Sequence, residues 1–257
     1  MCLFKAARSH SNNKESVMKT ITSILSLLLL FHSLQAQDSI SSSALLKYKI
    51  SFSYGIYAID PIDINDHIST SNAVFESSAK TLRSIPEIAA TFSFRPLHDN
   101  QILLLRGGYM SIDRSYQVSI PETQNSPVIT GFLSGTVKET YTAYPLSIGV
   151  GLASSTFDSQ IQFEFIYGLG YIDEETSYTS SLGKTTSYSR SFFSPAYGFR
   201  IAGQTTVRFS EQVGLTLELG YRGLAFDEYE DEATTQPSDI KFSYSGITGS
   251  VALSIVF

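Results

Sequence analysis

Residues 247–257 read ITGSVALSIVF and stop on Phe257. The odd positions Ile247, Val251, Leu253, Ile255 and Phe257 are apolar, with Gly249 among them. The even positions Thr248, Ser250, Ala252 and Ser254 are small or polar, and only Val256 departs from the rule. A period of 2 is the signature of a β-strand with one apolar and one polar face. An ordinary edge strand of a soluble sheet carries the same pattern, so the rest of the chain has to decide what the strand belongs to.

Seven earlier segments alternate in the same way: residues 46–58, 87–95, 102–112, 144–152, 160–171, 197–209 and 213–224. The last strand extends back to about residue 240. In the fourth, Tyr144, Leu146, Ile148, Val150 and Leu152 alternate with Pro145, Ser147, Gly149 and Gly151. In the first, Tyr48, Ile50, Phe52 and Tyr54 oppose Lys49, Ser51, Ser53 and Gly55. The connections also alternate. Residues 96–100, 153–159 and 210–212 are short, whereas 59–86, 113–143, 172–196 and 225–239 are long and polar. An even strand number puts both ends of the chain on the short-turn side. Strands of about 9–11 residues are what a tilted membrane-crossing strand needs. In hydrocarbon every backbone amide must pair, so such a sheet must close.

The expected fold is therefore all-β: an eight-stranded antiparallel transmembrane up-and-down β-barrel over residues 45–257. Its lumen is just wide enough for side chains to fill. Aromatics segregate by end. Phe94, Phe209 and Phe257 lie outward near the short turns; Tyr54, Tyr109, Tyr144, Tyr171, Tyr197 and Tyr221 lie outward near the long loops. Two such sets mark two interfaces. The alternative is a secreted soluble calycin-like barrel, which would turn the apolar face inward and the charges outward.

On these features the chain resembles the small bacterial outer-membrane β-barrels of the OmpA/OmpX and porin-like type. Its last strand is similar to their C-terminal insertion signal: Ser250, Ile255 and Phe257 fit, and Ala252 stands where the family usually has Gly. The resemblance implies the Gram-negative outer membrane, contact with its lipid and lipopolysaccharide, and an insertion machinery that reads Ile255 and Phe257. It speaks to fold more than to function. No further domain is expected after the last strand.

The front of the chain has a different character. Met18-Lys19 precedes an apolar run from Ile21 to Leu34, and Leu34-Gln35-Ala36 offers a cleavage site. This predicts a secretory signal peptide over residues 1–36, followed by a short periplasmic segment, 37–44. An uncleaved anchor is the other reading, although the run is short for a membrane span. Residues 1–17 are polar, and Met18 is an alternative start. The single cysteine, Cys2, lies in this part, so no disulfide or thiolate site is expected in the barrel. Removing Lys5, Arg8, Lys14, Lys19 and Glu15 leaves 14 basic and 23 acidic residues, net −9. That balance argues against nucleic acid as a partner.

Six charges fall on the predicted inner face: Glu87, Arg106, Glu164, Arg200, Glu218 and Arg222. Charges inside a barrel need partners. Counted from the short turns, Arg106 is expected to pair with Glu164 and Glu218, and Arg200 and Arg222 with Glu87, as a plug that fills the lumen; a gate or polar conduit is the other reading. Arg95 and Arg208 belong near the short-turn rim.

No catalytic, cofactor or metal site is expected. His67 lies in a loop beside Asp66, with Ser69 and Ser71 nearby, and His98 lies in a short turn. Asp60, Asp63, Asn65 and Asp66 lack the glycine of a calcium loop and read as solvated. So do Asp227, Glu228, Glu230, Asp231 and Glu232, with divalent-cation contact to lipopolysaccharide as the alternative. The expected role is structural or surface-interacting, through four long loops. A small pore for polar solutes is second and a lipid A-modifying enzyme third.

Overall fold

The computed structural model describes residues 48–59, 65, 79–95, 100–122, 131–154, 156–238 and 240–257. The signal peptide, the 37–44 segment, His67 and His98 lie outside the described residues.

Among the described residues eleven strands follow one another: β1 (Tyr48–Ile59), β2 (Ser84–Phe94), β3 (Gln101–Glu122), β4 (Gly131–Ala153), β5 (Ser159–Thr179), β6 (Thr185–Arg208), β7 (Val213–Phe226), β8 (Tyr229–Asp231), β9 (Pro237–Ser238), β10 (Phe242–Ser243) and β11 (Gly246–Val256). From β1 to β7 each pairs antiparallel with the next. Strand β11 pairs with β7 on one side and β1 on the other, which closes an eight-stranded ring. The closing seam runs from Lys49↔Val256 to Ile59↔Gly246. Beyond it, the Tyr48 and Phe257 backbones exchange hydrogen bonds of 2.9 and 3.0 Å.

The side-chain period of 2 sorts residues between the two faces of the ring. On β4, Tyr144, Leu146, Ile148, Val150 and Leu152 are exposed, and Ile148 shows 65% of its surface; Ser147 between them is buried at 4%. The same outward belt includes Phe52 and Tyr54 on β1, Phe163 and Phe165 on β5, and Val251 and Leu253 on β11. Inward positions carry the charges, the hydroxyls and two apolar layers, a large one and a small one.

Four staves run further than the alternation predicts. Residues 113–122, 131–143, 172–179 and 185–196, expected in long loops, are strand instead. Pairing of β3 with β4 continues from Met110↔Ala143 to Glu122↔Gly131, and β5 with β6 continues to Thr179↔Thr185. The β5–β6 hairpin turns over Ser180–Lys184. Above the apolar belt the outward face turns polar, so the contrast between faces fades there, although Arg114, Val118, Val137 and Glu139 stay buried on the inner face. The last strand is also shorter than predicted. It starts at Gly246, and Phe242–Ser243 form a separate strand against Phe226 and Ala225 of β7.

Candidate functional site

All six predicted lumen charges point inward and are buried. They form one alternating chain. Arg200 pairs with both Glu164 and Glu218. Glu218 also reaches Arg106 at 3.5 Å, Arg106 reaches Glu87 at 3.0 Å, and Glu87 reaches Arg222 at 3.5 Å. The order along the chain of pairs is thus Glu164–Arg200–Glu218–Arg106–Glu87–Arg222. Neutral groups complete it: Ser147 donates to Glu164, Ser250 to Glu218 at 3.0 Å and Gln204 to Glu218 at 2.7 Å. Arg106 donates to the Tyr57 hydroxyl at 3.2 Å, and the Arg222 guanidinium lies 3.8 Å from the centre of the Tyr57 ring. Gly108 leaves the room: a Cβ there would lie 2.4 Å from Glu87 Oε1.

Two of the expected pairings are corrected. Arg106 joins Glu218 and Glu87 rather than Glu164, and Arg200 joins Glu164 and Glu218 rather than Glu87. Counting from each short turn treats residue number as height. Barrel strands are tilted and staggered, so height follows the register. That register sets Glu164 opposite Arg200, and Arg200 opposite Arg222. The pairs Arg106–Glu218 and Arg222–Glu87 stand as expected.

Apolar layers close the lumen on either side of this knot. Towards the short turns, Ile102, Leu104, Ala153, Phe157 and Val256 form a floor. Near it, Arg95 stacks on Phe157 at 4.4 Å and Arg208 pairs with Asp158, which puts both at the rim as predicted. Towards the long hairpins, Phe226, Tyr229, Phe242 and Tyr244 pack with Tyr141 and Phe192 into an aromatic cap. Of these rings, Phe226 and Tyr229 come from 225–239, expected as a long polar loop, and Phe242 and Tyr244 from the stretch expected to extend the last strand. The acidic residues Asp227, Glu228, Glu230 and Glu232 are exposed, but Tyr229, Phe242 and Tyr244 turn inward and are fully buried. Gly170 admits the cap, since a Cβ there would meet Phe226 at 2.8 Å and the Tyr229 hydroxyl at 2.9 Å. Asp231 accepts the backbone N–H groups of Thr234 and Ala233, which hold its carboxyl below the usual range.

Above the cap, β3–β6 stand as a four-stranded sheet. Arg114 pairs with Glu139 and donates to the Tyr141 hydroxyl at 3.1 Å, and Tyr116 donates to Glu139 at 2.8 Å. Burial first, then the Glu139 carboxylate, pushes the Tyr116 phenol up. The other face is hydroxyl-rich, with Thr140 donating to Asp113 and Ser191 to Asp173.

A soluble ring would hide the apolar belt and expose the ionic knot. Here the polarity is inverted: hydrocarbon side chains face out and six charges face in. The chain is a membrane-spanning β-barrel of the outer-membrane type. No protein-family model matches it, and no curated protein does. Solved structures similar to it are distant. Ail, the attachment invasion locus protein of Yersinia pestis, solved with the heparin analogue sucrose octasulfate, is 9% identical with a TM-score of 0.36, covering 82% of this chain and 99% of that one. The outer membrane protein OprG of Pseudomonas aeruginosa is 11% identical with a TM-score of 0.41, over 82% and 96%. A major outer membrane protein of Thermus thermophilus is 10% identical with a TM-score of 0.39, over 82% and 99%.

Both aromatic girdles take shape in the barrel. Tyr48 stacks on Phe94 at 5.2 Å and lies 6.4 Å from Phe257; at the other border Tyr109, Tyr144 and Tyr171 follow one another at 5.4 and 5.9 Å. Of the calcium-like group, Asn65 is described: its amide brackets the Leu82 backbone at 2.9 and 3.0 Å. Asp60, Asp63 and Asp66 lie outside the described residues. Sequence reasoning missed two sets. Lys49 shares parity with Ser51 and Ser53 and so was readable as inward. Phe242 and Tyr244 share parity with the inward Thr248 and Ser250, which marks them for the lumen rather than for water.

Proposed function

We propose that this outer-membrane barrel works at the cell surface, as a rigid mount for the sheet formed by β3–β6, and not as an open pore. The observation that carries the reading is the continued pairing of these four staves beyond the apolar belt, to Glu122↔Gly131 and Thr179↔Thr185. Ordering so much polar backbone beyond the bilayer costs conformational entropy, and a membrane anchor alone has no use for it. Among the described residues, β3 beyond Met110 pairs only with β4, so its other edge can take an added strand. The lumen supports the same reading. The six charges of its knot are engaged with one another, between an apolar floor and an aromatic cap, which suits a plug and a non-enzymatic role. Lipopolysaccharide is then the lateral neighbour, and the insertion machinery the reader of Ile255 and Phe257.

The test shortens the sheet while keeping the barrel. Residues 114–139 and 174–190 are each replaced by an Asn-Gly turn, and heat-modifiable migration on gels checks folding. Cells displaying the full chain should adhere to at least one of a panel of plates coated with matrix proteins or surface polysaccharides, and cells displaying the folded short form should lose that adhesion. Equal adhesion by both forms on every coating would defeat the proposal.

A further inference from the structure

Below the ionic knot, the lumen carries more positive charge and more hydrogen-bond donors than its own groups can use. Among the described residues of the knot and the lumen wall just beneath it, four cations (Lys49, Arg106, Arg200 and Arg222) meet three carboxylates (Glu87, Glu164 and Glu218); at the floor itself Asp158 is paired with Arg208, and Arg95 lies on Phe157. All three carboxylates are held by arginines. Lys49 is the cation left over. It is 1% exposed, and among the described residues its ammonium bonds only neutral oxygens: Thr206 Oγ1 at 3.0 Å and Gln204 Oε1 at 3.4 Å.

The hydrogen-bond inventory leads to the same place. From Lys49 a run of hydroxyls goes round the ring. Thr206 meets Thr216 at 2.8 Å, Thr216 meets Ser254 at 2.6 Å, and Ser254 meets Ser51 at 2.8 Å, next but one to Lys49 on β1. An ammonium carries three protons and each hydroxyl one. However the hydroxyls turn, these seven protons serve five hydrogen bonds, so two donors stay over beside a buried positive charge. Leaving them unanswered in a closed lumen is costly. The chain outside the lumen is acidic, so its overall charge does not call for an anion; the local excess does.

We propose that the chamber between the apolar floor and the ionic knot binds a small monovalent inorganic anion, held by Lys49 Nζ and the Ser51–Ser254–Thr216–Thr206 hydroxyls. A single charge matches the excess of one. The staves close round the ion as the barrel forms, so it acts as a structural counter-ion, independently of any role of the surface sheet.

Chloride and bromide are the probes. The full barrel, refolded in detergent, is unfolded by urea in sodium chloride and in sodium gluconate at matched ionic strength. Gluconate is far bulkier than chloride and serves as the size control. The wild-type midpoint should rise with the logarithm of chloride concentration and stay flat in gluconate. Lys49→Met keeps the apolar stem, removes the charge and should respond equally to both salts. Identical wild-type midpoints in the two salts, or a Lys49→Met response to chloride as steep as wild type, would overturn the site. If Lys49→Met does not fold, wild-type crystals grown in bromide decide. An anomalous peak within hydrogen-bond reach of Lys49 Nζ supports the proposal, and its absence there ends it.

Discussion

Glu218 holds the knot together, because it is the one carboxylate shared by Arg106 and Arg200 while also accepting from Gln204 and Ser250. Removing one partner of a buried pair leaves uncompensated charge, at a cost of about 3–5 kcal/mol. Glu218→Ala should lose stability on that scale in urea unfolding from lipid vesicles, with planar bilayers still silent because floor and cap remain. A steady new conductance would show the knot itself to be the gate. Phe257 should behave in the opposite way. Its backbone bonds to Tyr48 do not depend on the ring, and the ring sits 6.4 Å from its neighbour. Phe257→Ala should therefore slow assembly by the insertion machinery severalfold while the folded barrel loses no more than about 1 kcal/mol; equal losses in both measurements would reduce Phe257 to a packing residue. At this scale the sequence was readable for direction and unreadable for partners. Parity fixed that Arg106, Glu164 and Arg200 face inward, but stagger decides who meets whom, and stagger depends on the closed ring.

Among the elements, the segment between β7 and β11 is where polarity misleads. Its charged run from Asp227 to Glu232 hides Tyr229, and the following residues hide Phe242 and Tyr244. A window dominated by carboxylates averages as a loop even though Tyr229 within it packs into the cap. Phe242 stacks on Tyr141 at 4.9 Å and edge-on to Tyr244 at 4.3 Å. Phe242→Ala should cost about 3–4 kcal/mol, in the range for buried Phe→Ala changes. Because so short a strand has few other contacts, the loss should show as faster proteolysis between Phe226 and Gly246 on intact cells. Unchanged cleavage would mean that the cap is held by its backbone pairing alone. The protruding parts of β3–β6 were missed for the complementary reason. Pairs such as Ser177–Ser187 and Thr179–Thr185 carry no apolar face for a period of 2 to reveal, although threonine suits a strand by propensity.

For the whole molecule, everything turns on which solvent the outer face meets. The eight segments, their order and the closure of the ring follow from alternation together with the need to pair every amide in hydrocarbon. The height of the bilayer on the staves follows from where exposed apolar residues stop. On β4 that boundary falls between Tyr144, which is exposed in the girdle, and Thr140, which already bonds the Asp113 carboxylate. A pair of substitutions on this one outward row tests the boundary. Ile148→Lys puts a charge in the middle of the belt and should destabilise the barrel in lipid vesicles by about 2–4 kcal/mol. Thr140→Lys, further along the same face, lies beyond the belt and should stay within about 0.5 kcal/mol of wild type. In a protein whose belt met water, the order would reverse: a lysine replacing a 65% exposed isoleucine would be harmless or helpful. Equal, small effects at both positions would therefore remove the membrane from the account, whatever the ring looks like.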